Sequence, residues 1–226
     1  TGHSFGEWAV TQEADCFHDG LQVRACTVCG QEETEPVVKN SERCPSKAFS
    51  DLDCSRWYHE GVDFALAKGF MNGMDTGIPD TNITRGQLVT VLYRLADEPQ
   101  VQTNAPFTDV SEGSYYAKAV AWAYGSGIAE GVTKERFAPN ASATREQMVV
   151  FFARFARLSG KTVEATGDLR NYTDAGSVSP YATEAMTWAV ETGLIEGMTE
   201  HTLNPQGTST RAQAATILMR YCTMLG

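Results

Sequence analysis

The stretches TRGQ (residues 84–87), TREQ (144–147) and TRAQ (210–213) are three spellings of one phrase. The middle copy continues as TREQMVVFFARFA (144–156), in which Met148, Val149, Phe151, Phe152 and Phe155 recur at the spacing of one helical face. Thr and Gln three apart make a capping box: the threonine hydroxyl accepts from the backbone N–H at N3, and the glutamine reaches back to the threonine's own N–H. The phrase therefore predicts the start of three helices. In the first copy Ile83 and Leu88 add the two ends of a hydrophobic staple. A further arginine recurs at one offset, as Arg94, Arg154 and Arg220, and reads as a solvent-facing helix residue or an ion-pair partner within its repeat.

Outward from the phrase, more punctuation repeats. Phe49-Ser-Asp51, Phe107-Thr-Asp109 and Tyr172-Thr-Asp174 open each unit, followed by the aromatics Trp57-Tyr58, Tyr115-Tyr116 and Tyr181. A helix-like stretch follows, with Phe64-Ala65, Trp122-Ala123 and Trp188-Ala189 at matched positions. It closes on Gly69 and Gly73, Gly127 and Gly131, or Gly193 and Gly197. The first glycine of each pair fits a helix C-terminus that needs a left-handed residue. The connectors Ile78-Pro79, Phe137-Ala-Pro139 and Leu203-Asn-Pro205 lead back to the phrase. Each unit is thus helix, loop, helix. One such pair cannot bury its apolar faces alone, whereas three can by packing about a common axis or stacking. Trp57, Trp122 and Trp188 read as core or groove wall.

Bulk properties narrow the function. With 42% hydrophobic and 20% charged residues the chain can build one or two cores, and no apolar run approaches the roughly 18 residues of a membrane span. Eighteen Lys and Arg against 28 Asp and Glu leave a net charge of −10, which excludes a general nucleic-acid binder. An anionic partner must be read by a few placed cations. The four histidines are scattered, and HExxH, GxSxG and phosphate-loop motifs are absent from the sequence, so an enzyme is disfavoured. The chain opens on Thr1 without Met, and is expected to be a fragment or processed product with an upstream domain attached.

The F-x-D opening, the aromatic-alanine pair, the glycine-punctuated turn and the T-R-x-Q helix start resemble S-layer homology domains, over roughly residues 45 to 226 and in triplicate. The resemblance implies a mainly α fold, three tandem helix-loop-helix repeats in a pseudo-threefold bundle. It also implies inter-repeat grooves that bind a secondary cell-wall polysaccharide of Gram-positive bacteria, often through a pyruvylated sugar. Arg85, Arg145 and Arg211 take the ligand role by this resemblance, joined by Asp51, Asp109 and Asp174 and by Trp57, Tyr115 and Tyr181. Each arginine follows its cap, beside unpaired N–H groups and the positive helix end, a setting that favours carboxylate or phosphate. The other reading pairs each arginine with its repeat's Asp, tying loop to helix. Two departures matter: the family's glutamate in the capping box is Gln87, Gln147 and Gln213 here, and its groove tryptophan survives only as Trp57. The Trp57 pocket therefore ranks first.

Residues 1–38 differ in texture. Trp8 and Val10, then Leu21, Val23 and Ala25, alternate as short strands do, with Asp19-Gly20 as a hairpin turn. Cys26-x-x-Cys29-Gly30 is similar to a zinc knuckle, and the stretch resembles small cysteine-containing modules of secreted Gram-positive proteins. Four tetrahedral zinc ligands are available in His3, Cys16, Cys26 and Cys29, with His18 as a substitute. A disulfide among Cys16, Cys26 and Cys29, or free thiols, are the alternatives. Cys44 and Cys54 bracket the start of repeat one and suit a disulfide, Cys222 reads as a buried thiol, and His59-Glu60 as an exposed helix face.

The expected organisation is a small β-rich Cys module (1–38), a linker (39–47), repeat one (48–97), a linker (98–105), repeat two (106–158), a linker (159–170) and repeat three (171–226). The expected function is non-catalytic anchoring of a larger extracellular protein to the Gram-positive cell wall through its polysaccharide. A protein–protein assembly module is the alternative. Structural zinc is the one cofactor expected, and neither nucleic acid nor a membrane span.

Overall fold

The computed structural model of the chain describes residues 2–40, 42, 44–72, 79–101 and 104–225. Gly73 and Ile78, both part of the repeat pattern, lie outside the described residues. A three-stranded antiparallel sheet comes first: β1 (Ala9–Gln12), β2 (Gly20–Ala25) and β3 (Glu32–Val37), in that order. Among the described residues six α-helices follow in three pairs: α1 (His59–Ala67) and α2 (Arg85–Leu95), α3 (Ala117–Gly125) and α4 (Arg145–Leu158), α5 (Thr183–Glu191) and α6 (Arg211–Leu225).

The second helix of each repeat begins where the phrase says. Thr84, Thr144 and Thr210 accept from the N3 amides of Gln87, Gln147 and Gln213 at 3.2, 3.3 and 3.2 Å, and the glutamine oxygens accept from the threonine amides in return. The first helices end on left-handed Gly69, Gly127 and Gly193, with φ of 69°, 71° and 71°. Ile83 and Leu88 are fully buried, as a staple requires.

Packing runs between repeats. α3 lies on α2, α5 on α4, and α1 closes the ring against α6. At that closure Gly61 has no room for a side chain: a Cβ there would come within 2.7 Å of the Thr216 Cα. Three backbone bonds tie the segments ahead of the caps into a cycle: Ile83 N–H to Ser209 O, Ala143 N–H to Ile83 O, and Ser209 N–H to Ala143 O, at 2.8, 2.9 and 3.0 Å. This closed triangle marks the pseudo-threefold axis. Trp122 and Trp188 are buried in the single core formed by all three repeats, while Trp57 is exposed. Among the described residues no helix is long and apolar enough to cross a membrane.

In the sheet module the tight hairpin falls elsewhere than expected. Gly20 begins β2, and the turn before it is organised by Asp15, whose carboxylate accepts from the amides of Phe17 and His18 at 2.6 Å each. The β2–β3 turn is the Cys-x-x-Cys-Gly segment itself, with Cys26 N–H on Gln31 O at 2.8 Å and Gly30 left-handed at φ 74°. The face of this sheet is held by Arg24, whose guanidinium stacks on Phe5 and Trp8 at 4.8 and 4.5 Å.

Candidate functional site

Each cap arginine reaches into the repeat that follows around the ring. Arg85 donates from Nη2 to Glu130 O (2.7 Å) and from Nε to Phe137 O (2.9 Å), and stacks on the Phe137 ring at 4.7 Å. Arg145 donates from Nη2 to Glu196 O, and Arg211 from Nη2 to Asn72 O at 2.9 Å. Glu130, Glu196 and Asn72 are the residues ahead of the second glycine of their repeats. All three arginines are buried, and burial pulls their pKa below the ordinary arginine value. Their partners are backbone carbonyls of another repeat, so the alternative reading, a pairing with the repeat's own Asp, gives way to a stitch between repeats.

The free helix N–H groups expected beside these arginines are also occupied. Arg85 and Gly86 donate their amides to Ala141 O and Pro139 O, Arg145 and Glu146 to Gly207 O and Pro205 O, and Arg211 and Ala212 to Thr81 O and Pro79 O, at 2.8–3.2 Å. A ligand at these helix starts would meet no open amides at N1 and N2, and the guanidinium is what remains to it. Among the described residues Nε of Arg145 and of Arg211 lacks a hydrogen-bond partner, whereas Nε of Arg85 has one.

The three grooves are composites of all three repeats. Tyr115 of repeat two faces Arg211 of repeat three and Phe70, Asn72, Gln87 and Arg94 of repeat one, around a cavity of about 260 Å³. Trp57 of repeat one faces Arg145 of repeat two and Glu196, Gln213 and Arg220 of repeat three, around about 150 Å³. Tyr181 of repeat three feels the charges of Arg85 and Arg154. The second arginines, read from sequence as surface or ion-pairing residues, are thus groove walls as well. Their equal offset from the cap arginine was the available signal: nine residues on, two and a half helical turns, with the groove supplied by another repeat.

The grooves differ in charge. Glu196 sits 3.0 Å from Arg220, and Glu130 sits 3.3 Å from Arg154. The equivalent position beside Arg94 is Asn72, and among the described residues Arg94 has a 4.0 Å approach to Glu98 and a bond from Nη1 to Phe70 O at 3.2 Å. In the third groove the Tyr181 hydroxyl donates to Glu146 at 2.8 Å, and burial together with this carboxylate pushes its pKa up to about 12. Ser179 holds the same carboxylate through its amide and hydroxyl. That groove is internally satisfied.

Two of the expected ligand carboxylates have another task. Asp109 accepts from the amides of Phe137 and Ala138 at 2.8 Å each, and Asp174 from those of Leu203 and Asn204 at 2.9 and 2.7 Å. Both oxygens of each are latched to the connector, so these carboxylates hold backbone whatever else they bind. Asp51 is half-buried in the matching loop of repeat one, whose connector counterpart lies outside the described residues.

The cysteines regroup. His3, Cys26 and Cys29 come together, with His3 Nδ1 at 3.3 Å from Cys29 Sγ. Cys16, expected with them, stands instead with Cys44, His59 and Asp63. His18, the substitute ligand, pairs with Asp15 at 3.1 Å and reaches Glu60 at 3.7 Å. The expected Cys44–Cys54 disulfide is not formed: all six thiols are free, the Cys44 thiol shares a hydrogen bond with Cys16, and exposed Cys54 lies 3.8 Å from Ser46 Oγ. His59 is buried, not exposed as its sequence context suggested. Cys222 is half-buried beside the core, and burial raises its pKa.

Comparison with known proteins follows the same lines. The profile of the S-layer homology domain matches residues 48–89, 106–149 and 171–215. The chain is 30% identical over 175 residues to the exoglucanase XynX of Acetivibrio thermocellus, covering 76% of this chain and 16% of that protein. It is 31% identical over 162 residues to the surface-layer 125 kDa protein of Lysinibacillus sphaericus, covering 70% and 13%. It is 29% identical over 174 residues to an amylopullulanase of Thermoanaerobacterium thermosulfurigenes, covering 76% and 9%. The chain thus spans less than a fifth of the length of each of these relatives. Three phrases, three stitched helix pairs and three profile matches agree: the chain belongs to the S-layer homology family, whose domains are cell-surface, wall-anchoring modules.

Proposed function

We propose that the chain holds a larger surface protein on a Gram-positive wall by binding an anionic secondary cell-wall polysaccharide, and that the Tyr115 groove is the principal site. The observation that carries this is Asn72. Where the other two grooves place a glutamate against their second arginine, this one has Asn72, and among the described residues Arg94 meets no carboxylate nearer than Glu98 at 4.0 Å and Arg211 forms no ion pair. A sugar carboxylate, such as that of a pyruvyl group, suits two guanidinium groups and a tyrosine face. The Trp57 groove is secondary, since Glu196 already faces Arg220 there. In this reading the chain performs no catalysis.

The sheet module is proposed to carry a structural zinc ion on His3, Cys26 and Cys29. Amide N–H groups of Cys29 and Val28 point at the Cys26 sulfur and pull its pKa down to about 6, which favours the thiolate a metal needs.

The test of anchoring is retention on purified wall. The chain should sediment with intact sacculi and be released by chemical removal of the non-peptidoglycan polymer. Equal retention on stripped sacculi, or none on either, contradicts the proposal. Binding to neither would favour a protein partner.

A further inference from the structure

We propose that Cys16, Cys44, His59 and Asp63 form a second zinc site, which clasps the amino-terminal sheet module to the first helical repeat. The four residues come from three separate parts of the chain. Cys16 lies in the loop between β1 and β2, Cys44 in the linker, and His59 and Asp63 one turn apart at the start of α1. One donor atom from each lies within 4.8 Å of all the others. Cys44, His59 and Asp63 are 6%, 6% and 5% exposed, and the Phe17 ring packs 4.4 Å from the His59 ring as a cover.

The geometry is that of donors meeting at one point. Asp63 Oδ2 is 2.7 Å from Cys16 Sγ and 3.1 Å from His59 Nε2, while Cys16 Sγ is 4.0 Å from the same Nε2. A tetrahedral zinc ion with bonds of about 2.0–2.3 Å sets its ligand atoms roughly 3.3–3.8 Å apart, so small outward shifts of Asp63 admit the ion. The other oxygen, Oδ1, is fixed by the Ser46 amide at 2.8 Å and by the Ser46 hydroxyl, the outer support that ligating carboxylates require. Two sulfurs, an imidazole and a carboxylate form a donor set suited to zinc.

A nucleophilic relay of Cys16, His59 and Asp63 does not fit. A relay uses both ring nitrogens, one for the thiol and one for the carboxylate, whereas here Cys16 and Asp63 both face Nε2. A Cys16–Cys44 disulfide would tie the same segments but would give the buried His59–Asp63 pair no metal-binding role. The clasp also has a structural consequence. Trp57 sits just ahead of His59, so fixing the first turn of α1 fixes one wall of the Trp57 groove.

Zinc content of the purified full chain tests this, with the His3, Cys26 and Cys29 set kept separate. A Cys26→Ser, Cys29→Ser double variant, which leaves the clasp untouched, should retain one equivalent of zinc. After chelation it should bind one equivalent of Co²⁺ with the absorption of a tetrahedral thiolate site. Adding Cys16→Ser or His59→Gln to that double variant should remove this equivalent. Loss of all metal from the double variant, metal retained after Cys16→Ser, or a Cys16–Cys44 disulfide in the peptide map of the chain as purified would each overturn the proposal.

Discussion

Both carboxylate oxygens of Asp109 and of Asp174 are taken by consecutive backbone amides, and the residues supplying the second amide, Ala138 and Asn204, are left-handed at φ 58° and 52°. Here the two successive N–H groups converge on one carboxylate at such a kink, so latch and strained backbone hold each other in place. Burial by itself would raise these carboxyl pKa values, but the amide bonds more than reverse it and the net shift is downward. A depressed folded pKa means stability that is present above the unfolded value of about 3.9 and lost as pH falls through the folded value. Asp109→Asn should therefore lower Tm at neutral pH and flatten the loss of stability below about pH 4. Thermal melts across pH check this, and an unchanged acid limb would contradict it. The F-x-D pattern was legible in the sequence as a repeated carboxylate. Its partners were not, because they lie 28 to 30 residues away at φ values that no composition signals.

At the scale of the helix, sequence was a good guide where the interaction is local. Thr, Gln and the closing glycine act within a turn of their own position, and all three capping boxes and all three left-handed glycines fall where the pattern puts them. Thr144→Ala should cost about 1 kcal/mol in chemical denaturation, with α4 still formed by circular dichroism. A loss near zero would mean that the cap is redundant to the stitching of its N-terminus by Gly207 and Pro205. The arginine inside the phrase was harder. Its position at N1 was legible, but its carbonyl partner belongs to a different repeat, and so does the carbonyl that occupies its own amide. The same limit hid the clasp. His59 and Asp63 are one turn apart and readable as a pair, while Cys16 and Cys44 join them only through the docking of the sheet module.

At the scale of the whole molecule, three similar repeats yield three dissimilar grooves because every groove draws on all of them. A core shared by the three repeats followed from the spacing of apolar residues and glycines, since no single helix pair can bury its own face, whereas a threefold ring rather than a stack was implied by the family resemblance. Groove chemistry did not follow from one repeat. Trp57 drew attention to its pocket by being the sole tryptophan among the groove aromatics, yet the charge balance is set by a residue ahead of a glycine in another repeat: Glu196, Glu130 or Asn72. Asn72 is the most direct handle on the central claim. It is exposed, and its backbone carbonyl rather than its side chain holds Arg211, so Asn72→Glu changes groove charge without removing that stitch. Calorimetric titration of the full chain with solubilised anionic wall polymer should show binding to Asn72→Glu weakened by about tenfold or more, a change of about 1.4 kcal/mol, with Tm little changed. Affinity equal to that of the unaltered chain would contradict the assignment of the anion to the Tyr115 groove.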